Sequence, residues 1–155
     1  NWTAHPMGDV PAAAYTVEIG KAAIARPLSG QGVPVSVVTY GAMVHTCAKA
    51  AELAAQEGID VELLDLRSLL PYDQDAIVDA ARRLGRVVVA NEAPRTCGYA
   101  AEIVATVTEH AFDCLQAPVL RVTGWDTPFP YALESLYMPD PQRVLTALRT
   151  VAYYQ

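Results

Sequence analysis

The feature that most constrains the fold is a regular alternation between short β-branched runs and Ala-rich segments with apolar residues at helical spacing. The β-branched runs cover residues 35–40, 61–65, 86–91 and 119–123, and the helical segments cover residues 43–57, 73–84 and 99–112. Runs of this composition are typical of buried strands. Because single helices separate them, the pattern predicts parallel strands joined by right-handed crossovers.

The ends of these elements carry capping residues. Gly58 and Gly85 each follow a helical segment, where glycine commonly ends a helix. Asp140 and Pro141 predict the start of a last helix, as N-cap and first-turn residue. The alternating stretch 15–19 predicts a short strand, and 20–32 a loop. The sequence thus predicts an α/β fold. It is a three-layer α/β/α sandwich with a mostly parallel sheet of about five strands, one of them an antiparallel edge strand.

The first residues differ from the rest of the chain. Residues 1–14 contain Pro6, Gly8 and Pro11, show no periodicity, and are predicted to be a linker that precedes a single domain at 15–155. The chain begins without an initiator Met and without a charged-then-apolar leader. We therefore expect a piece of a longer protein.

Composition narrows the class of protein. Hydrophobic residues make up 52% of the chain and charged residues 18%, which is typical of a globular domain and not of a disordered one. The formal net charge is −6 and no basic stripe occurs, so nucleic acid is not an expected partner. No apolar run approaches the roughly 18 residues that span a bilayer, so no membrane partner is expected. The three cysteines form no CxxC pair, and Cys47 and Cys114 are predicted to be buried apolar residues, which favours a reducing compartment.

A search for reactive groups finds none. No GxGxxG, Walker lysine or GxSxG motif follows a predicted strand. His5, His45 and His110 are far from one another and from the cysteines in sequence, so no metal-ligand spacing occurs. The sequence therefore predicts no catalytic, cofactor-binding or metal-binding residues. A compact domain of this kind is more often used for binding or assembly than for catalysis.

The loop at 91–98 is the most polar segment between a predicted strand and a predicted helix. Glu92 and Arg95 allow two interpretations: a polar site at a subunit boundary, or one ion pair that fixes the loop. The helix that follows Gly98 offers free backbone amides, which can hold an anion. A free-standing anion-binding module is therefore an alternative function.

Four stretches together resemble a known family: residues 38–44, 61–71 (VELLDLRSLLP), 91–103 (NEAPRTCGYAAEI) and 121–131 (RVTGWDTPFPY). In this order and spacing they are similar to the transketolase-like C-terminal domain of 2-oxo acid dehydrogenase beta subunits. Residues 124–130 are closest to the branched-chain (2-oxoisovalerate) dehydrogenase group. The same domain from a pyruvate or acetoin dehydrogenase is the alternative within this family.

The resemblance implies what the intact enzyme does. A heterotetramer of two alpha and two beta subunits decarboxylates a 2-oxo acid and acylates the lipoyl-lysine of an acyltransferase core. Thiamine diphosphate with magnesium binds between the alpha subunit and the N-terminal pyrimidine-binding domain of beta, which is absent from this chain. We therefore expect the chain to be inactive alone, to serve assembly and docking, and to reside in the bacterial cytoplasm or an equivalent matrix. Isolated, it is expected to form a homodimer.

The resemblance also implies partner-binding residues. In the family, an acidic residue before Ala-Pro and the terminal carboxylate grip arginines of the peripheral subunit-binding domain of the dihydrolipoyl acyltransferase. The matching position here is Gln116, and the tail ends at Tyr154 and Gln155. An amide cannot form the charge-assisted pair, and the neighbouring Asp113 is the candidate to compensate.

A second set of candidates lies at the subunit interface or the active-site edge: Asn91, Glu92, Arg95 and Asp126. Asn91 stands where the family usually has a histidine. If the position faces the active site, the rate or specificity differs. If it only packs, the change has no functional effect.

Overall fold

The computed structural model describes residues 9–155. It contains five strands, β1 Ala23–Arg26, β2 Val33–Thr39, β3 Ile59–Asp65, β4 Val87–Pro94 and β5 Leu120–Gly124. The helices are α1 Met43–Ala55, α2 Gln74–Leu84, α3 Ala100–Ala111, α4 Glu134–Tyr137 and α5 Pro141–Ala152. Short 3₁₀ turns at Phe112–Cys114 and Tyr131–Leu133 complete the described elements. The predicted linker at 1–14 lies partly outside the described residues.

The strands form one sheet in the order β1-β3-β2-β4-β5. Strands β2 to β5 run parallel, and β1 pairs antiparallel with β3 at the edge. All parallel strands therefore begin at one edge of the sheet, the N-terminal edge, and finish at the other, the C-terminal edge.

Two apolar layers enclose the sheet, one on each face. On one face α1 and α5 pack against residues such as Val35, Val37 and Val88. On the other face α2 and α3 pack against Val38 and Val89. Alternate residues of β2 and β4 therefore serve opposite layers, as expected for strands covered on both sides. The predicted three-layer α/β/α sandwich is confirmed.

The predicted helix ends are also present. The Asp140 carboxylate accepts a hydrogen bond from the Arg143 amide at 2.8 Å, with Pro141 in the first turn of α5. Gly85 ends α2 at φ 67°, where glycine avoids the strain a side chain would suffer. Asp73 begins α2, and one of its oxygens accepts from the Ala76 amide at 3.2 Å.

The prediction of the edge strand was wrong in position. Residues 15–19 form no strand, and Tyr15, Val17 and Ile19 are all exposed. The antiparallel strand is β1, inside the segment predicted as a loop. Arg26 favours this register, because its Nη1 donates to the Val61 carbonyl at 2.5 Å and lies 3.7 Å from Asp60. Alternation alone cannot report such a tertiary contact.

Two further predictions need correction. Strand β4 continues to Pro94, which pairs with Gly124, so the predicted loop 91–98 starts inside the sheet. Cys47 is buried as predicted, but Cys114 is only half-buried because it lies in the 3₁₀ turn beyond α3. All three cysteines are free.

Within residues 9–155, no helix has the length and apolar character needed to cross a membrane.

Candidate binding surfaces at the two edges of the sheet

Asn91 lies on the C-terminal half of β4 and is fully buried. Its Nδ2 group donates to the Tyr40 hydroxyl at 3.3 Å, whereas its Oδ1 atom has no hydrogen-bond partner among residues 9–155. A buried acceptor without a donor is rare in folded proteins and is often found near functional sites. Because Asn91 faces the α2–α3 side, it contacts the chain's own Tyr40 and is not open to solvent.

Three tyrosines surround this point and form a tyrosine cluster, Tyr40, Tyr72 and Tyr99. The ring of Tyr99 packs edge-to-face on both others, with centroids 6.0 Å from Tyr40 and 6.1 Å from Tyr72. Burial raises the pKa of Tyr40, the Asn91 hydrogen bond opposes this effect, and the negative charge of Glu92 adds to it. Tyr40 thus remains neutral and acts as a hydrogen-bonding and packing group.

Asp126 joins the two loops that follow β4 and β5. Its carboxylate accepts from the Thr96 amide and from the Thr96 hydroxyl, both at 2.8 Å. These bonds, the amide bond first, together with Arg95, lower the pKa of Asp126. Arg121 adds a bond from its Nη1 to the Arg95 carbonyl at 3.0 Å. These hydrogen bonds therefore hold the two loops together, and Arg95 contributes through its carbonyl oxygen.

Glu92 is separate from that arrangement. Its carboxylate makes no hydrogen bond or ion pair within the described residues, so the interpretation of Glu92 and Arg95 as an ion pair was wrong. It lines a groove of about 540 Å³ between the end of β4 and the segment 127–138. The other residues lining this groove are Ala93, Pro94, Thr127, Phe129, Tyr131, Glu134, Tyr137 and Met138.

The far wall of this groove is held by Trp125 and Arg143. The Arg143 guanidinium lies 4.4 Å from the Trp125 ring and donates to the Thr123 carbonyl at 2.6 Å. Trp125 in turn donates through Nε1 to the Leu136 carbonyl at 3.0 Å. Gly124 permits the close approach of Tyr137, whose ring atoms would lie 2.6 Å from an added Cβ. The segment is therefore fixed although its periodicity predicted no element.

The start of α3 provides a second, smaller cleft of about 440 Å³. Leu70, Tyr72, Cys97, Gly98, Tyr99, Ala101 and Glu102 line it. Among the described residues no side chain caps this helix, and the Ala101 and Glu102 amides of its first turn already donate to the Gly98 and Tyr99 carbonyls. In addition, the charged side chain in this cleft is the carboxylate of Glu102, which repels an anion at that position.

The opposite, N-terminal edge of the sheet carries the other set of candidates. The backbone amide of Gln116 donates to the carbonyl of Gly85 at 2.7 Å, and Gly85 lies just before β4. Tyr153 donates to the Glu57 carbonyl at 2.8 Å, immediately before β3. Asp113 is exposed in the 3₁₀ turn beside Gln116, and Tyr154 and Gln155 are exposed beyond α5. All four predicted docking residues therefore lie at one edge.

Bidentate pairing holds the tail of α5 against α1. Arg149 donates from Nε to Glu57 at 2.7 Å and from Nη2 at 2.5 Å. The bonds from Arg149 lower the pKa of Glu57. Because the pair is solvent-exposed, it orients the end of α5 but adds little to the free energy of unfolding. The direction in which the chain leaves α5 is thereby fixed.

The structure separates the candidates into two groups at opposite edges. Asn91, Glu92, Arg95 and Asp126 lie at the C-terminal edge, and the residues predicted to serve docking lie at the N-terminal edge. Sequence reasoning missed the tyrosine cluster, Thr96 and the groove wall. The available signal was the run of Trp125, Phe129 and Tyr131, whose large apolar side chains follow neither a helical nor a strand period.

Comparison with known proteins now gives the family. The model of the transketolase C-terminal domain matches residues 20–144. The chain belongs to the transketolase C-terminal domain family. The predicted resemblance is therefore confirmed, and the strand order described above is that of a member of this family.

Several similar proteins are beta subunits. The chain is 47% identical over 150 residues to the 2-oxoisovalerate dehydrogenase subunit beta of Pseudomonas aeruginosa, covering 97% of this chain and 41% of that protein. It is 42% identical to the pyruvate dehydrogenase E1 component subunit beta of Bacillus subtilis, covering 92% and 43%. A solved split-gene transketolase, described as an inactive beta4 tetramer, superposes with a TM-score of 0.73 at 27% identity, covering 95% of this chain and 45% of that one. The chain spans less than half of the length of each.

Proposed function

We propose that this chain is the assembly and docking domain of the beta subunit of a branched-chain 2-oxo acid dehydrogenase. The observation that carries the proposal is the 47% identity to a 2-oxoisovalerate dehydrogenase subunit beta across 97% of the chain. The intact heterotetramer would oxidatively decarboxylate a branched 2-oxo acid and transfer the acyl group to lipoyl-lysine. The chain alone would be inactive.

The division of the polypeptide follows from the extent of the match. The chain corresponds to 41% of the Pseudomonas subunit, so the pyrimidine-binding domain would lie in the remaining part. Residues 1–14 would be the linker and 15–155 the domain. In support, residues 9–22 contain no helix or strand.

Thiamine diphosphate with magnesium would be bound by other parts of the intact enzyme, because the residues described here do not fit it. Nowhere in residues 9–155 do three His, Cys, Asp or Glu side chains converge to hold a metal ion. At the cleft beside the start of α3, the Glu102 carboxylate opposes a diphosphate.

The N-terminal edge would receive the peripheral subunit-binding domain of the dihydrolipoyl acyltransferase. Gln116, Asp113, Tyr154 and Gln155 share that edge and are exposed. The C-terminal edge, with Glu92 and the groove, would face the alpha subunit. Opposite edges leave room for both contacts at once.

The second candidate within the family is the same domain from a pyruvate or acetoin dehydrogenase. The 42% identity to a pyruvate dehydrogenase beta subunit keeps this reading open, since the difference from 47% is small. The anion-binding module is disfavoured by the Glu102 carboxylate at the start of α3. We further infer the bacterial cytoplasm or an equivalent matrix as the location, supported by three free cysteines.

Reconstitution tests the proposal. The full-length beta subunit is produced together with its alpha subunit and assayed with 3-methyl-2-oxobutanoate, pyruvate and acetoin. We expect the branched substrate to give the highest kcat/KM, and the 155-residue chain alone to decarboxylate none of them. A preference for pyruvate or acetoin would instead assign the chain to a pyruvate or acetoin dehydrogenase. Activity or tight thiamine diphosphate binding by the chain alone would refute the assembly role.

A further inference from the structure

The groove at the C-terminal edge has the form of an acceptor site for another polypeptide. It lies between the end of β4 and the segment 127–138 and has a volume of about 540 Å³. Its floor is apolar, because Phe129 and Tyr137 pack edge-to-face with centroids 5.0 Å apart, and Met138 lies beside them. This size accommodates one or two side chains of a partner.

Large apolar side chains around the groove are exposed. Tyr131 is 80% exposed and Leu136 is 69% exposed, and Trp125, Phe129 and Leu133 are each more than half exposed. Several large exposed apolar side chains within one segment often mark an interaction surface. The segment nevertheless stays in place through the Trp125 and Arg143 contacts, so the patch is presented on a fixed wall.

The charge of the groove specifies the partner. Among its described lining residues the charged side chains are Glu92 and Glu134. Glu92 makes no hydrogen bond or ion pair within residues 9–155. The nearby cation, Arg143, is committed to the Thr123 carbonyl and the Trp125 ring and so does not neutralise it.

We propose that this groove binds a basic, apolar segment of a companion polypeptide, with an arginine or lysine placed against Glu92 and apolar side chains on Phe129 and Tyr131. The inference rests on the proposed assembly function and names the chemistry of the partner at one of its two edges. An arginine fits best, because its planar guanidinium can pair with the carboxylate and stack on a tyrosine or phenylalanine ring.

Peptide binding to the 155-residue chain tests the proposal. The ¹⁵N-labelled chain is titrated with acetyl-LRFRL-amide, and with the neutral acetyl-LQFQL-amide and the acidic acetyl-LEFEL-amide as matched probes. We expect the basic peptide to shift the amide signals of the groove residues. We expect the neutral peptide to bind more weakly and the acidic peptide not to bind.

Variants separate the charge from the apolar contribution. Glu92→Gln is expected to weaken binding of the basic peptide about fivefold, since a close charge pair at an interface is lost. Glu109→Gln, at the exposed far end of α3, is the matched control and should leave binding unchanged. Tyr131→Ala removes an exposed side chain of the groove and should weaken all peptides that bind.

Several outcomes would overturn the proposal. These are equal binding of the basic and acidic peptides, shifts that map outside the groove, no binding of any peptide, and a Glu92→Gln variant that binds as tightly as the parent. The test involves no substrate, so it can fail while the reconstituted dehydrogenase remains active. Conversely, peptide binding could be observed where the dehydrogenase assay fails.

Discussion

The Asn91 side chain is fully buried on β4. Its Nδ2 group donates to Tyr40, while its Oδ1 atom has no partner in the part of the chain that the structure describes. An unpaired buried polar group costs about 1–3 kcal/mol. The Asn91 side chain offers both a donor and an acceptor, and only the donor is used. The position therefore tolerates a polar group that only part of the surroundings satisfies.

A charge at this position has a predictable effect. Asn91→Asp is expected to lower the free energy of unfolding by about 2–4 kcal/mol at pH 8, because a buried carboxylate lacks compensation. Burial would raise the folded-state pKa of this aspartate above its unfolded value. The loss should therefore be smaller at pH 5 than at pH 8. Urea unfolding at pH 5 and at pH 8 measures the loss in the free energy of unfolding, with the exposed Gln31→Glu as control. An equal loss at both would contradict the explanation.

At the N-terminal edge, a negative charge introduced at Gln116 is expected to be favourable, in contrast to one at Asn91. Its side chain is exposed and its backbone is already bonded to Gly85. Gln116→Glu should tighten binding of the peripheral subunit-binding domain to the full-length beta subunit about tenfold, because a charge-assisted bond to arginine replaces a neutral one. Calorimetry measures the affinity. The exposed Gln142→Glu, in the first turn of α5 at the other edge, should have no effect.

At the scale of elements, Asp73 connects two parts of the chain. One of its oxygens accepts from Ala76 in the first turn of α2, and the other accepts from the Ala22 amide just before β1 at 3.1 Å. Asp140 makes the equivalent cap bond to Arg143 for α5. The edge strand is therefore attached to a helix cap that the sequence already identifies.

The two caps are expected to differ in their contribution to stability. Asp140→Ala should lower the free energy of unfolding by about 1 kcal/mol, which is the usual value of a lost N-cap. Asp73→Ala should lower it by about 2 kcal/mol, because a second hydrogen bond is lost and the residue is nearly buried. Urea denaturation of both variants gives the comparison. Equal losses would show that the Ala22 bond contributes nothing.

The sequence predicts the parallel strands and the long helices because their patterns are local and repeated. Residues 15–19 fail as a strand since pairing depends on Arg26 and Asp60, which are distant in sequence from that stretch. The same limit applies to the candidate site: residues at loop positions next to a strand can be identified from the sequence, whereas residues brought together by tertiary contacts cannot. Glu92 and Asp126 can be chosen from loop positions, but the tyrosine cluster depends on three separate loops meeting at one edge.

At the scale of the whole molecule, each edge of the sheet carries exposed apolar side chains. Phe112 is 70% exposed at the N-terminal edge, where Tyr153 and Tyr154 are also exposed, whereas Leu136 lies beside the groove at the C-terminal edge. Clustered exposed apolar side chains often mark a surface that contacts another chain. Each edge is therefore expected to contact another chain.

The expected homodimer should use the N-terminal edge. Sedimentation equilibrium of the 155-residue chain should show a dimer at high concentration. Phe112→Glu should shift the equilibrium to monomer, because a charge replaces a large apolar side chain, whereas Leu136→Glu at the groove should leave the dimer intact. A monomer for the parent chain at high concentration, or dissociation caused only by Leu136→Glu, would refute this assignment.

The length of the sheet has a consequence for electrostatics. Strand β2 has seven residues, so the parallel strands extend roughly 23 Å from one edge to the other, at about 3.3 Å per residue. Exposed charges interact weakly beyond a Debye length of about 8 Å at physiological ionic strength. A carboxylate added or removed at one end thus leaves ionisation at the other unchanged. Each end can acquire new charges over evolutionary time without retuning its counterpart.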